Sequence, residues 1–127
     1  MFDKKSKSYT DLLGKTNRIV EGTVIKGDII SQADFRLDGE LEGNFQSTGK
    51  LVIGPSGKVT GDVICKNADV EGKFNGIMEV AEVLNVKSKA SIHGQVMVGK
   101  LSVEPGAEFS ASCTMRDNNK FLLTDGK

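Results

Sequence analysis

Gly57-Lys-Val59-Thr-Gly61 and Gly72-Lys-Phe74-Asn-Gly76 are two copies of one short phrase, in which an apolar residue stands between two glycines. The phrase also occurs at residues 39–43, and alanine replaces one or both glycines at residues 90–94 and 107–111. With a looser first copy, the central apolar residues recur every 15 to 18 residues: Val24, Leu41, Val59, Phe74, Ile92 and Phe109. A repeat of this length indicates a solenoid.

The apolar residues of each copy alternate with polar ones, which is the period of a β-strand. Further apolar columns flank the central one in the same register, such as Val70, Val86 and Val103, and the variation in repeat length falls at one corner. A chain that returns above itself every ~17 residues stacks its windings ~4.8 Å apart. We therefore predict an all-β fold, a parallel β-helix (solenoid) of about six windings over residues 19–115, between short flexible tails at residues 1–18 and 116–127. An ordinary β-sandwich of short strands is the alternative, disfavoured by the in-register copies.

The composition excludes several classes of function. The chain of 127 residues has 17 basic and 17 acidic side chains, and a net charge of zero argues against a direct nucleic-acid binder. One histidine, His93, cannot build a site of several imidazoles, and Cys65 and Cys113 are too few and too far apart for a disulfide scaffold or a zinc site. No apolar run approaches the ~20 residues of a membrane-spanning helix, and no secretory signal is recognisable. We expect a cytoplasmic protein without cofactor or metal.

The two ends of a solenoid each leave one apolar face open, because a winding is buried only by its neighbours. The predicted end faces consist of Leu101, Val103, Phe109, Cys113 and Met115 in the last winding and Val20, Val24 and Ile29 in the first. Burying such side chains stabilises by ~1.5–3 kcal/mol each, against an association cost of ~4–15 kcal/mol. We therefore predict end-to-end self-assembly, with Phe109 as the main C-terminal contact. The alternative is that residues 116–127 fold back through Phe121-Leu122-Leu123 and cap the end.

Charge is unevenly divided along the chain. Residues 1–18 carry five basic and two acidic side chains, whereas residues 19–115 carry nine and thirteen. An apolar tip beside basic residues suits an anionic membrane surface, and repetition along a filament strengthens weak binding by avidity. We predict a disordered, membrane-targeting N-terminal tail with the binding residues Met1, Phe2, Lys4, Lys5 and Lys7. A merely solubilising tail is the alternative.

The repeats GELEGNFQS, GKVTGDVIC and GKFNGIMEV, together with the opening Met1-Phe2-x-Lys4-Lys5-x-Lys7, resemble the bactofilins, a family of bacterial polymer-forming cytoskeletal proteins. The resemblance covers residues 19–115 and the N-terminal tip. It implies a right-handed β-helix of triangular cross-section and nucleotide-independent filaments with head-to-head and tail-to-tail contacts. It also implies a peripheral location at the inner membrane and a role in cell shape or in placing cell-wall enzymes. In such proteins a phenylalanine near the C-terminal end of the core supports polymerisation, and Phe109 occupies a comparable place.

An enzymatic function is the competing interpretation, because hexapeptide-repeat acyltransferases are also β-helices and use a histidine in a groove between subunits. Ile53-Gly-Pro-Ser-Gly-Lys-Val59 resembles one hexad, but a strict six-residue period does not persist. His93 follows the inward Ile92 and should lie on the outer surface. The segment 94–100 approaches a phosphate-binding loop but has Leu101 where serine or threonine is required. We predict a structural protein, with a trimeric acyltransferase-like enzyme using His93 as the alternative.

Overall fold

The fold is built from strands alone within residues 15–115, the part of the chain that the computed structural model describes. In this range the strands are β1 (Thr16–Ile19), β2 (Val24–Lys26), β3 (Ile29–Ser31), β4 (Asp34–Leu37), β5 (Glu40–Glu42), β6 (Phe45–Ser47), β7 (Lys50–Ile53), β8 (Lys58–Cys65), β9 (Asn67–Val70), β10 (Lys73–Val86), β11 (Ser91–Val103) and β12 (Glu108–Met115). Neighbouring strands pair in parallel. The chain is therefore a parallel β-solenoid of six windings, as predicted.

Each winding contributes one strand segment to each of three faces. The first face contains β1, β4, β7, β9 and residues 83–86 and 100–103. The second face contains β2, β5 and residues 58–60, 73–75, 91–93 and 108–110. The third face contains β3, β6 and residues 63–65, 78–80, 96–98 and 113–115. Long strands such as β10 turn a corner without interruption.

The core is a set of columns in which like residues lie above one another. Phe74 pairs with Val59 on one side and Ile92 on the other, and Ile92 pairs with Phe109, as the repeat predicts. Inward side chains of the middle windings are fully buried and form one continuous hydrophobic cluster. Burial of each winding thus depends on the winding above and the winding below.

The corner between the second and third faces is made by a column of glycines. Gly43, Gly61, Gly76 and Gly94 all have positive φ, between 120° and 149°. A Cβ atom at any of them would collide with the carbonyl oxygen of the glycine one winding earlier. Glycine is needed here for two reasons, the left-handed backbone and the close approach of two main chains.

The first winding differs from the prediction by one residue. Ile19 pairs with Leu37 and Ile25 with Leu41, so these isoleucines occupy the inward columns that were predicted for Val20 and Val24. Both valines are exposed, at 57% and 53%. The reason is the first corner, which is a long one closed by a hydrogen bond from the Thr23 N–H to the Val20 carbonyl (3.2 Å). Strand β1 also begins at Thr16, three residues before the predicted start of the core.

The glycine column yields a paired test. Gly61→Ala should lower the free energy of unfolding by roughly 3 kcal/mol, because it adds overpacking against Gly43 to the strain of positive φ. Gly27→Ala is the matched control, since Gly27 has a similar φ of 137° but open space where the Cβ would lie. We expect a loss of only about 1 kcal/mol there. Chemical denaturation followed by circular dichroism measures both, and equal losses would assign the whole glycine requirement to backbone conformation.

Candidate assembly surfaces at the two ends

The C-terminal end surface is the inner face of the sixth winding. The five residues predicted for it are Leu101, Val103, Phe109, Cys113 and Met115, and all five occupy the columns that are inward in the windings before. Val103 and Met115 are 43% and 42% exposed, whereas Val86 and Val98, one winding earlier, are 0% exposed. The structure therefore brings the predicted residues together on one apolar surface that the described residues leave partly uncovered.

Two further residues of this end were missed by the sequence analysis. Ala107 and Ala111 pack against the hydrophobic core beside Phe109. Both stand where earlier copies have glycine, and Ala111 pairs with Gly94. The replacement of glycine by a larger apolar residue in the last copy is a signal that was visible in the repeat.

The N-terminal end surface is less apolar. Ile19, Ile25 and Ile29 pack partly buried against the core, and of these only Ile29 was predicted. Polar residues occupy two inward columns of the same winding, where Asn17 pairs with Phe35 and Ser31 with Ser47. The Asn17 side-chain amide donates a hydrogen bond to Ser31 Oγ (3.3 Å). The two ends of the solenoid thus offer chemically different surfaces.

The first winding is attached to the second by a shared carboxylate. Arg36 donates from Nε to Asp38 Oδ2 (2.9 Å) and from Nη2 to Oδ1 (3.1 Å), and Arg18 Nε lies 3.5 Å from Oδ2. Asp38 is only 9% exposed. The hydrogen bonds from Arg36 lower the pKa of the Asp38 carboxyl, supported by the positive charges of Arg36 and Arg18 and opposed by burial. The ionised form of Asp38 therefore stabilises the N-terminal end.

His93 lies on the outer surface, as predicted, with 45% of its side chain exposed. Its Nε2 atom is 3.2 Å from Ser91 Oγ and 3.4 Å from Glu108 Oε2. A proton relay requires the hydroxyl and the carboxylate on different ring nitrogens, and here both approach the same one. The contacts join the fifth winding to the sixth and do not form a nucleophile with an oriented base.

Other site chemistry is sparse among the described residues. Within residues 15–115, no three His, Cys, Asp or Glu side chains come together in a way that suits a metal ion. No helix of that range is long and apolar enough to cross a membrane. Burial raises the pKa of the Cys65 thiol to about 12, so this cysteine is an inert core residue.

Two groups of predicted residues lie outside the described range. The membrane-binding residues Met1, Phe2, Lys4, Lys5 and Lys7 precede it, and the capping segment Phe121-Leu122-Leu123 follows it. Both remain predictions.

The fold and its ends define a class of protein, a parallel β-solenoid whose core columns continue to two end windings that residues 15–115 leave uncovered. Residues 17–114 match a family model described as bactofilin, polymer-forming cytoskeletal. The chain therefore belongs to the bactofilin family, as its repeats suggested.

Two proteins of Myxococcus xanthus (strain DK1622) are similar to this chain. Bactofilin BacP is 27% identical over 94 residues, which is 74% of this chain and 39% of BacP. Bactofilin BacO is 23% identical over 92 residues, which is 72% of this chain and 73% of BacO. This chain thus matches less than half of the length of BacP. No solved structure matches it.

The shared carboxylate makes the stability of the protein depend on pH. Because the pKa of Asp38 is lower in the folded chain than in the unfolded chain, its contribution is complete above about pH 4 and is lost as the pH falls through the lowered pKa. Asp38→Asn should lower the unfolding free energy at pH 7 by roughly 1–2 kcal/mol. The difference from the wild type should shrink as the pH falls through this lowered pKa.

Thermal unfolding of both proteins between pH 7 and pH 2 checks this expectation. Asp62→Asn is the matched control, because Asp62 forms no ion pair with any described residue. A constant difference between wild type and Asp38→Asn at every pH would contradict the role of the ionised carboxylate.

Proposed function

We propose that this protein assembles end to end into a filament that requires no nucleotide, lies at the cytoplasmic membrane and serves as a scaffold for cell shape or cell-wall enzymes. The observation that carries the proposal is the column surface of the sixth winding that the described residues leave open, where Val103 and Met115 are exposed although their counterparts one winding earlier are fully buried. Membership of a polymer-forming cytoskeletal family supports self-association.

The geometry of the C-terminal end favours a symmetric contact. A solenoid end that meets an identical end does so about a two-fold axis, so that the same residues face each other and the interface closes. The surface around Phe109 then covers the same surface of the second copy, and the open edges of residues 100–103 and of β12 find partners for their backbone groups. The contact buries the remaining exposed apolar area of both copies, and this area on two copies together offsets part of the association cost.

A filament needs a second contact, which we assign to the N-terminal end. Ile19, Ile25 and Ile29 supply its apolar area, and the Asn17–Ser31 pair supplies polar groups that fix one arrangement. If each end meets its own kind, the filament alternates tail-to-tail and head-to-head contacts and has no polarity.

The end-to-end contact is tested by placing one arginine at two neighbouring positions of β12. Phe109→Arg puts a charge on the end surface and should leave only small soluble species, because an unpaired charge cannot be buried in the contact. Ser110→Arg, whose side chain lies on the outer face, is the matched control and should assemble like the wild type. Sedimentation and negative-stain microscopy in nucleotide-free buffer measure assembly.

A folding control accompanies this experiment, because Phe109 also packs on the core. Met115→Arg changes a more exposed member of the same surface and should likewise prevent sedimentation. Filaments from both end-surface variants would refute the proposed contact. If residues 116–127 cap the C-terminal end instead, the wild type itself should form no filaments.

Membrane attachment is assigned to the N-terminal tip. Phe2 contributes apolar surface, and Lys4, Lys5 and Lys7 contribute about 1 kcal/mol each at an anionic surface. The whole chain has no net charge and is not attracted to an anionic membrane as a whole. The basic excess of residues 1–18 therefore favours this segment as the membrane-binding part.

Phe2→Ser should abolish flotation with vesicles containing phosphatidylglycerol while filaments still form, because it removes the inserted side chain and leaves the end surfaces unchanged. Tyr9→Ser is the matched control, an aromatic residue of the same segment away from the tip. Undiminished vesicle binding by Phe2→Ser would count against insertion of the tip.

A further inference from the structure

A shallow groove of about 600 Å³ lies on the second face and extends from the third winding to the sixth. Its basic residues are Lys58, Lys73 and Lys89, and polar side chains from Thr60, Asn75 and Ser91 line it as well. It belongs to the side of the solenoid, so a filament repeats it once in every subunit.

The groove results from unequal corner lengths. The fourth winding passes from Val70 to Phe74 by a short corner, whereas the fifth passes from Val86 to Ile92 by a corner two residues longer. Because the flanking strands stay in register, the extra residues project outward. Residues 88–90 and Gly106 of the next corner form the wall of the groove.

The lysines of this groove are set apart by their position next to one another, since Lys15, Lys26 and Lys100 also form no ion pair with a described residue. Three other lysines are paired with a carboxylate on another winding, in the pairs Lys50–Asp69 (2.9 Å), Lys66–Glu82 (3.8 Å) and Lys87–Glu104 (3.8 Å). Lys58 instead pairs in register with Lys73, so that two ammonium side chains project from adjacent windings. Like charges in this arrangement are destabilising.

No ion pair within 4.0 Å reaches Lys58, Lys73 or Lys89 from the described residues. Two carboxylates stand at the borders. Glu40 precedes Lys58 in its column, and Glu108 lies at the far end of the groove, where it contacts Ser91 and His93. Positive charge is therefore concentrated at the centre of the groove.

We propose that this groove binds a phosphate-bearing ligand, with phosphate oxygens between Lys58 and Lys73 and with Lys89 closing over them from the corner. Three ammonium groups match the two or more negative charges of a phosphate monoester or pyrophosphate. Hydroxyl and amide donors from Thr60 and Asn75 supply directional hydrogen bonds. The same chemistry occurs in soluble phosphate compounds and in lipid headgroups.

Binding is measured by calorimetric titration of the full chain with pyrophosphate at constant ionic strength. The wild type should bind saturably, and Lys58→Met/Lys73→Met should bind at least about tenfold more weakly, because it removes two charge-assisted hydrogen bonds. Lys26→Met/Lys100→Met is the matched control, since it removes the same charge from lysines outside the groove, and should bind like the wild type. Absence of saturable binding, or equal weakening in the control, would overturn the proposal.

The fold of the variant is checked independently. Removal of two adjacent like charges should leave the unfolding temperature of Lys58→Met/Lys73→Met unchanged or raised, so that lost binding is not lost structure. If the double variant does not fold, the single change Lys73→Met replaces it. Pyrophosphate binding by this variant should also be weaker than that of the wild type.

Vesicles separate the two sources of phosphate. If vesicles containing phosphatidic acid bind the wild type more strongly than Lys58→Met/Lys73→Met, the ligand is a lipid headgroup. If both proteins bind the vesicles equally while pyrophosphate binding depends on the lysines, the ligand is a soluble phosphate compound. Lysine-dependent binding of a polyglutamate peptide without pyrophosphate binding would overturn the proposal in favour of an acidic protein partner.

Discussion

The approach of main chain to main chain at the glycine corner is the constraint on which the rest of the structure depends. Each of Gly43, Gly61, Gly76 and Gly94 has the carbonyl of the preceding corner where a side chain would otherwise lie. This contact keeps successive windings in one register, so that every inward column repeats. Because the columns repeat, the last winding has the same inward apolar residues as the others, but no described winding lies above them. The candidate assembly surface is thus a direct result of the rule that builds the interior.

Most of the fold could be predicted from the sequence, because a period of 15 to 18 residues and strict alternation leave few other structures open. The columns from the second winding onward are correct, including the pairing of Phe74 with Val59. The first winding could not be placed, since Ile19-Val20 and Val24-Ile25 are adjacent apolar pairs and alternation fits either member. Only the length of the corner around Gly22, which has φ of 94°, decides between them.

The candidate sites differ in how many of their residues could be predicted from the sequence. The C-terminal surface follows from column position alone, so Phe109 and its neighbours could be named in advance. The residues of the lysine groove could not be predicted in this way. Lys58 and Lys73 hold equivalent positions in the repeat, but Lys89 joins them only because the corner of the fifth winding projects beside the shorter corner of the fourth. How far one corner projects beyond its neighbour depends on both windings, so it cannot be predicted from a single copy of the repeat.

Because the two ends of the solenoid differ in chemistry, the two kinds of contact in the proposed filament should respond differently to temperature. Hydrophobic contacts weaken on cooling, and the C-terminal surface around Phe109 is almost purely apolar. The N-terminal surface includes the Asn17–Ser31 hydrogen bond, whose strength does not depend on temperature in the same way. Cooling would then weaken the C-terminal contacts, which are every second contact along the filament. The filament would separate into dimers joined by their N-terminal ends before it separated into single subunits.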